Sequence, residues 1–330
     1  MISWVEAHKA LQQRRTPEGA IDFDGYRREQ YLRLDRYTNR PLIVYATDFL
    51  NRPKVQACGN DVEIDLTDRE GVLEVTRSLD AEAVDFLITS PGGGLEAADS
   101  IVSILRRKFG HIRIIVPSVA KSAATMIALS ANELLMDGDA ELGPIDPQFR
   151  IQKGDGSFVV APAQAIIDQF EKAQELIGKD QSRLAAWLPI LQQYGPALYQ
   201  QCKNAVELSK DYVREWLKTG LFKDMSDAAE RATRVVDYLG NHNEFKTHGA
   251  RIGVNELRKV GIDVKIINED KELHERVLCV VYALALTFNG TPAFRLWENS
   301  RGGALIRSVQ MPVIRMGVPP GGTPPVPQHH

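Results

Sequence analysis

An α/β fold with a largely parallel sheet is predicted by three features of this 330-residue chain. Short apolar, β-branched runs recur at 42–46, 84–88, 112–116 and 134–136, the pattern of strands buried on both faces. The intervening segments carry helical spacing, clearest at 95–108, where Leu95, Ala98, Ile101, Val102 and Leu105 share one face. Small-residue turns at 89–94 and 120–124 each join an apolar run to a helix-patterned stretch. Strands alternating with helices imply parallel pairing, with ligands gathering at the carboxyl ends of the strands, where both turns sit.

The elements follow in order. Residues 1–38, rich in Arg, Gln, Glu and Tyr, read as a helical arm that packs on a neighbouring element or another subunit. A core with a helical insertion spans 39–270. Past Pro147 the pattern becomes mainly helical, at 163–177, 181–194, 196–219 and 226–238, with Gly178, Gly195 and Gly220 placed to end helices. A short helix starts at 253–257, and residues 264–267 can form one more strand. The apolar stretch 272–288 is a helix that opens a C-terminal unit over 271–316. The Pro- and Gly-rich tail 317–330 is expected to be disordered, which makes His329 and His330 solvated rather than metal-binding.

Bulk properties narrow the function. A net charge of −3 gives no electrostatic case for nucleic acid or an anionic membrane as the main partner. Cys58, Cys202 and Cys279 lie far apart without metal spacing and read as reduced, structural thiols. No apolar run reaches the roughly 18 residues that span a bilayer, and the N-terminus lacks a signal-peptide core, so a cytoplasmic location is expected. The G-x-x-x-x-G-K-[ST] and G-x-G-x-x-G spacings are absent, and nothing else calls for a cofactor or metal.

The chemistry concentrates in the two turns. Thr89-Ser90-Pro91-Gly92-Gly93-Gly94 bares backbone N–H groups and lets a substrate backbone approach Gly92 and Gly94 closely. Ala120-Lys121-Ser122-Ala123-Ala124 sets a hydroxyl at a helix start among small neighbours that leave room for an acyl group. Glycine turns often do no more than connect strand to helix, and serines at helix starts often only cap them. Together, however, these turns hold the parts for attack on a carbonyl: Ser122 as nucleophile, and the Gly93 and Ala123 amides around the resulting oxyanion.

The motifs Thr-Ser-Pro-Gly-Gly, Ala-Lys-Ser-Ala-Ala, Ala131-Asn132-Glu133-Leu134-Leu135-Met136 and Gly143-Pro144-Ile145-Asp146-Pro147 resemble the Clp-protease/crotonase fold. Within it, the chain is most similar to the serine dehydrogenase proteinase family, relatives of signal peptide peptidase A and the Clp proteases. The resemblance covers residues 40–150 well and continues more loosely through Lys246-Thr247-His248-Gly249-Ala250-Arg251-Ile252 and Val260-Gly261-Ile262. It implies a serine peptidase acting on peptides or unfolded protein, with Ser122 at the nucleophile position and Gly93 and Ala123 at the oxyanion amides. It also implies a homo-oligomer, and leaves open a separate ATPase or adaptor partner.

The general base departs from the relatives. Clp proteases carry a histidine on the segment after the following strand, where this chain has Asp146. Membrane-linked relatives carry a lysine after an Ala-Pro-like pair, where Ala161-Pro162-Ala163-Gln164 puts Gln164. A serine needs a proton acceptor. The candidates are His248 and Lys172, ahead of Lys121 and Lys153, with Asp146 as the group that orients the base. Two alternatives stand beside the peptidase reading: a pseudo-peptidase scaffold, whose signature is the histidine or lysine base missing from the relatives' positions, and a crotonase-like acyl-CoA enzyme, disfavoured because a serine replaces that family's glycine-rich second turn.

Overall fold

The computed structural model describes residues 2–153 and 156–309. Helix α1 (Trp4–Gln12) opens with a reciprocal cap between Ser3 and Glu6, and α2 (Phe23–Thr38) opens on Asp22, which accepts the Gly25 N–H. Strand β1 (Leu42–Thr47) leads through α3 (Arg52–Cys58) and α4 (Asp68–Arg77) to β2 (Ala83–Thr89). Next come α5 (Leu95–Lys108), β3 (His111–Val116), β4 (Val119–Ala120) and α6 (Ala123–Leu129). After β5 (Glu133–Met136) and β6 (Glu141–Leu142), a hairpin is formed by β7 (Gln148–Gln152) and β8 (Phe158–Pro162).

A helical stretch follows: α7 (Ala163–Lys179), α8 (Leu184–Leu191), α9 (Leu198–Thr219), α10 (Ala228–Leu239), α11 (His242–Phe245) and α12 (Val254–Lys259). The described chain closes with β9 (Val264–Ile266), α13 (Lys271–Gly290), β10 (Ala293–Asn299) and β11 (Ala304–Ser308).

Seven strands form the main sheet in the order β11-β10-β1-β2-β3-β5-β9. The five from β1 to β9 in that order run parallel, and β10 and β11 add antiparallel pairs at one edge. Alternation along each strand divides the core. Ile43, Tyr45, Phe86 and Ile114 face α5, α6, α9 and α10, whereas Leu42, Val44, Leu87 and Ile115 face α2 and α13. Both faces of the sheet are therefore covered, as a mostly parallel sheet requires.

Several elements differ from the sequence reading. A β7–β8 hairpin precedes the helical stretch and carries no strand signature in the sequence, since its strands are five residues long and β8 leaves Phe158, Val159 and Val160 exposed rather than buried in alternation. Strands β10 and β11, the antiparallel pair at one side of the sheet, carry no continuous apolar run. Gly220 ends α9, but α7 runs through Gly178 to Lys179, and α8 stops at Leu191, short of Gly195. The tail 317–330 lies outside the described residues.

Charged groups buried with partners hold the sheet edge. Arg27 of α2 donates to both oxygens of Glu298 on β10, at 2.8 and 2.9 Å, and Tyr31 adds a third bond to the same carboxylate. On the opposite face, Arg295 pairs with Asp68 at 3.1 Å, and Asp68 also accepts from Trp297 Nε1 at 2.7 Å. Arg295 further donates to the carbonyls of Asp61 and Glu63, and so fastens the segment that meets the glycine turn.

Burial pushes the Asp68 carboxyl above the usual range even with Arg295 beside it. Arg295→Met should therefore cost about 3–5 kcal/mol at neutral pH by stranding that charge. A raised folded-state pKa means the folded protein binds the proton more tightly than the unfolded chain, so stability falls as pH rises. The deficit of the variant should shrink as pH is lowered from neutral; denaturant midpoints across pH would check both size and sign.

Candidate active site

Two strand-to-helix turns meet at the carboxyl ends of β2 and β4. Ser90 N–H donates to Val119 O at 3.0 Å, and Lys121 N–H donates back to Ser90 O at 3.1 Å. This stitching draws the glycine turn onto the serine turn so closely that a Cβ on Gly92 would lie 2.4 Å from Lys121 O and 2.6 Å from Ser122 Cβ. On its other side the glycine turn bridges Ile64: Ile64 N–H donates to Gly92 O at 2.7 Å and Gly94 N–H to Ile64 O at 2.8 Å. Gly92 N–H is taken by Ser90 Oγ at 3.1 Å. The Gly93 amide has no acceptor among the described residues and stays available to a ligand.

Ser122 adopts φ 51°, ψ −121° immediately before α6. A non-glycine residue held there stores about 1–3 kcal/mol of backbone strain, a feature that clusters at functional sites. The same bend leaves Ala123 N–H among the unpaired first-turn donors of the helix. Every residue of α6 is buried, and Thr125 Oγ1 ties it down by donating to Ala120 O at 2.7 Å while accepting from Gly143 N–H at 2.9 Å.

Opposite the serine, the buried Asp146, 3% exposed, accepts three side-chain bonds. His248 Nδ1–H donates to Oδ1 at 2.7 Å, while His242 Nδ1–H at 3.2 Å and Gln148 Nε2 at 2.9 Å reach Oδ2. A proton on Nδ1 facing Asp146 is the tautomer that leaves Nε2 of an imidazole as the acceptor. Gly92, Gly93, Gly94, Ser122, Ala123, Asp146 and His248 all line one cleft of about 790 Å³, whose apolar wall includes Met126, Ile145 and Leu208. Among the described residues Ser122 Oγ makes no hydrogen bond to the imidazole; catalytic hydrogen bonds of this kind often form only in the substrate complex.

The structure separates the basic candidates. His248 lines the cleft. Lys172 does not: it is exposed on α7, whose buried face is set by Ala163, Ile166, Ile167 and Ala173. Gln164 bonds Asp168 at 2.7 Å, and Lys153 is exposed away from the cleft lining. The Lys121 ammonium points away from the serine onto Leu142 O and Ala250 O. Sequence reasoning missed His242, whose ring packs on Asp146 outside the cleft lining. Its proximity to His248 in the chain was the available signal. Among the described residues no His/Cys/Asp/Glu group could hold a metal ion, and no helix is long and apolar enough to cross a membrane.

The fold is thus an α/β one with a mostly parallel central sheet, and the two turns stand at its strand ends. The chain belongs to the ClpP-like SDH-type serine proteinase family, whose model matches residues 62–287. Two uncharacterized proteins of Methanocaldococcus jannaschii are similar to it. MJ0137 is 28% identical over 70% of this chain and 70% of its own length, and MJ1495 is 26% identical over 60% and 61%. Among solved structures, the membrane-bound stomatin-specific protease 1510-N in complex with a substrate peptide is 17% identical, covering 65% of this chain and 75% of its own, with a TM-score of 0.38. ClpP1 from Listeria monocytogenes is 15% identical, covering 62% and 86%, with a TM-score of 0.33.

Proposed function

We propose that this chain is a serine peptidase with Ser122 as nucleophile, His248 as general base, Asp146 as the group that orients it, and the Gly93 and Ala123 amides as oxyanion donors. The observation that carries this reading is the 2.7 Å bond from His248 Nδ1 to the buried Asp146, in a cleft that Ser122 and His248 both line. A carboxylate on Nδ1 selects the tautomer whose Nε2 can take the serine proton, and stabilises the imidazolium that forms.

The steps follow from these placements. Ser122 Oγ attacks the scissile carbonyl carbon as its proton passes to His248 Nε2. The carbonyl oxygen becomes an oxyanion facing the two N–H groups. Collapse breaks the C–N bond, His248 returns the proton to the leaving amine, and an acyl-serine remains. Water then attacks the ester through the same base, releasing the acid and restoring Ser122. Peptides or unfolded chains are the substrates that suit a cleft of this size, with assembly into a homo-oligomer and delivery by a separate ATPase or adaptor as further parts of the proposal.

The test is covalent labelling. A fluorophosphonate probe should modify Ser122, located by mass spectrometry of the tryptic peptide, and Ser122→Ala should take no label and leave fluorescein-casein uncut. A folded wild-type protein that neither takes the probe nor cuts casein would return the chain to the scaffold reading.

A further inference from the structure

We propose that Lys121 is a positioning residue that fastens the segments carrying His248 and Asp146 to the nucleophile's own turn. This rests on the serine peptidase reading above and adds a role which that reading does not assign. The Lys121 side chain is 15% exposed, and its ammonium meets three acceptors: Leu142 O at 3.0 Å, Ala250 O at 3.0 Å and Glu141 Oε1 at 3.1 Å. Two of its three N–H donors are thus hydrogen-bonded to backbone carbonyls, and the Glu141 carboxylate neutralises its charge.

The acceptors are the informative part. Ala250 lies two residues after His248, and Leu142 lies four before Asp146. Their two segments are already paired through Leu142 N–H to Ile252 O at 2.9 Å and Ile252 N–H to Leu142 O at 3.1 Å. The lysine stem crosses this pair at Gly143, where a Cβ would meet Lys121 Cδ at 2.8 Å. Glu141 continues the cluster by pairing with Arg251 at 3.4 Å. One side chain, adjacent in sequence to the serine, therefore fixes the distance between the nucleophile and the two groups that must serve it. The same geometry argues against Lys121 as the base, since its ammonium is held by two carbonyls and a carboxylate on the far side of the turn.

The experiment compares Lys121→Met, which keeps the stem and removes the charge, with Lys121→Arg, which keeps the charge. For Lys121→Met, kcat on fluorescein-casein should fall about 100-fold with KM changed less than about twofold, the scale expected of a misplacement near 1 Å. Fluorophosphonate labelling of Ser122 should slow by the same factor, amide exchange across residues 247–252 should quicken, and Lys121→Arg should recover most of the activity. Folded Lys121→Met that labels at the wild-type rate overturns the proposal while leaving the triad intact. Activity lost in both Lys121 variants but kept in His248→Ala overturns it too, because the lysine would then be the base. A wild-type protein that takes no label removes the peptidase reading and this role together. Should Lys121→Met not fold, Glu141→Gln decides: a several-fold lower kcat at unchanged KM supports the anchor, and an unchanged kcat overturns it.

Discussion

Replacing His248 with alanine is expected to lower kcat by about 10⁴–10⁶-fold while KM and thermal stability stay close to wild type. The size follows from its place in the cleft. Without a base, the Ser122 hydroxyl attacks as an alcohol rather than as an incipient alkoxide, and the leaving amine departs without a proton. The fold should survive because the ring is partly exposed and lies in the short link between α11 and α12. Asp146 also keeps His242 and Gln148 as hydrogen-bond donors after the truncation, so its buried carboxylate is not stranded. His242 cannot substitute, since its ring lies behind the carboxylate and outside the cleft lining. Lys172→Ala is the contrasting variant and should leave kcat unchanged. Steady-state cleavage of fluorescein-casein by the two variants checks the assignment: near-normal turnover by His248→Ala would transfer base duty to another group.

The strands and the glycine turn were legible in the sequence because their causes are local. Runs such as 84–88 and 112–116 are apolar over consecutive residues, and a strand buried on both faces needs nothing else. Gly92 and Gly93 stand at positions where a side chain would collide with the neighbouring backbone, so the residue type itself carried the information. His248 and Asp146 were both named from the sequence, but nothing local set His248 above Lys172. Asp146 and His248 are brought together across 102 positions by the pairing of residues 142 and 252, a contact that no periodicity announces.

Strand β10 failed to show for a related reason. All seven of its residues are buried, yet Arg295 and Glu298 interrupt its apolar character. Each charge is tolerated inside because a partner from a distant element meets it: Asp68 from α4 and Arg27 from α2. Both lie past residue 287, where the family match ends. Arg295 nevertheless reaches the site, through the carbonyls of Asp61 and Glu63 that flank Ile64. Strand β10 thereby supports the segment against which the glycine turn is braced.

Gly93→Ala should reduce kcat by about 10²–10³-fold, the scale of losing one oxyanion donor. Gly93 has φ 154°, and an added Cβ would sit 2.1 Å from Ile64 O and 2.4 Å from Ile64 N, backbone atoms that cannot swing aside as a flexible side chain would. The turn must therefore move off Ile64, and the N–H that moves with it is the free donor of the turn. Arg295 opposes the alternative, a retreat of Ile64, because it holds the carbonyls on both sides of that residue. Strain and a weakened bridge together should also lower stability by about 1–3 kcal/mol. Gly94→Ala isolates the effect. Gly94 has φ −74°, and its added Cβ would find nothing nearer than Ile64 O at 3.7 Å, an ordinary contact. That variant should keep kcat within about threefold of wild type, because its backbone is unstrained; as Gly94 also lines the cleft, any crowding of substrate should appear in KM instead. Casein turnover, fluorophosphonate labelling rates and denaturant midpoints for the pair would show whether the neighbouring glycines differ as their surroundings require. Equal activity in the two variants would remove the Gly93 amide from the mechanism.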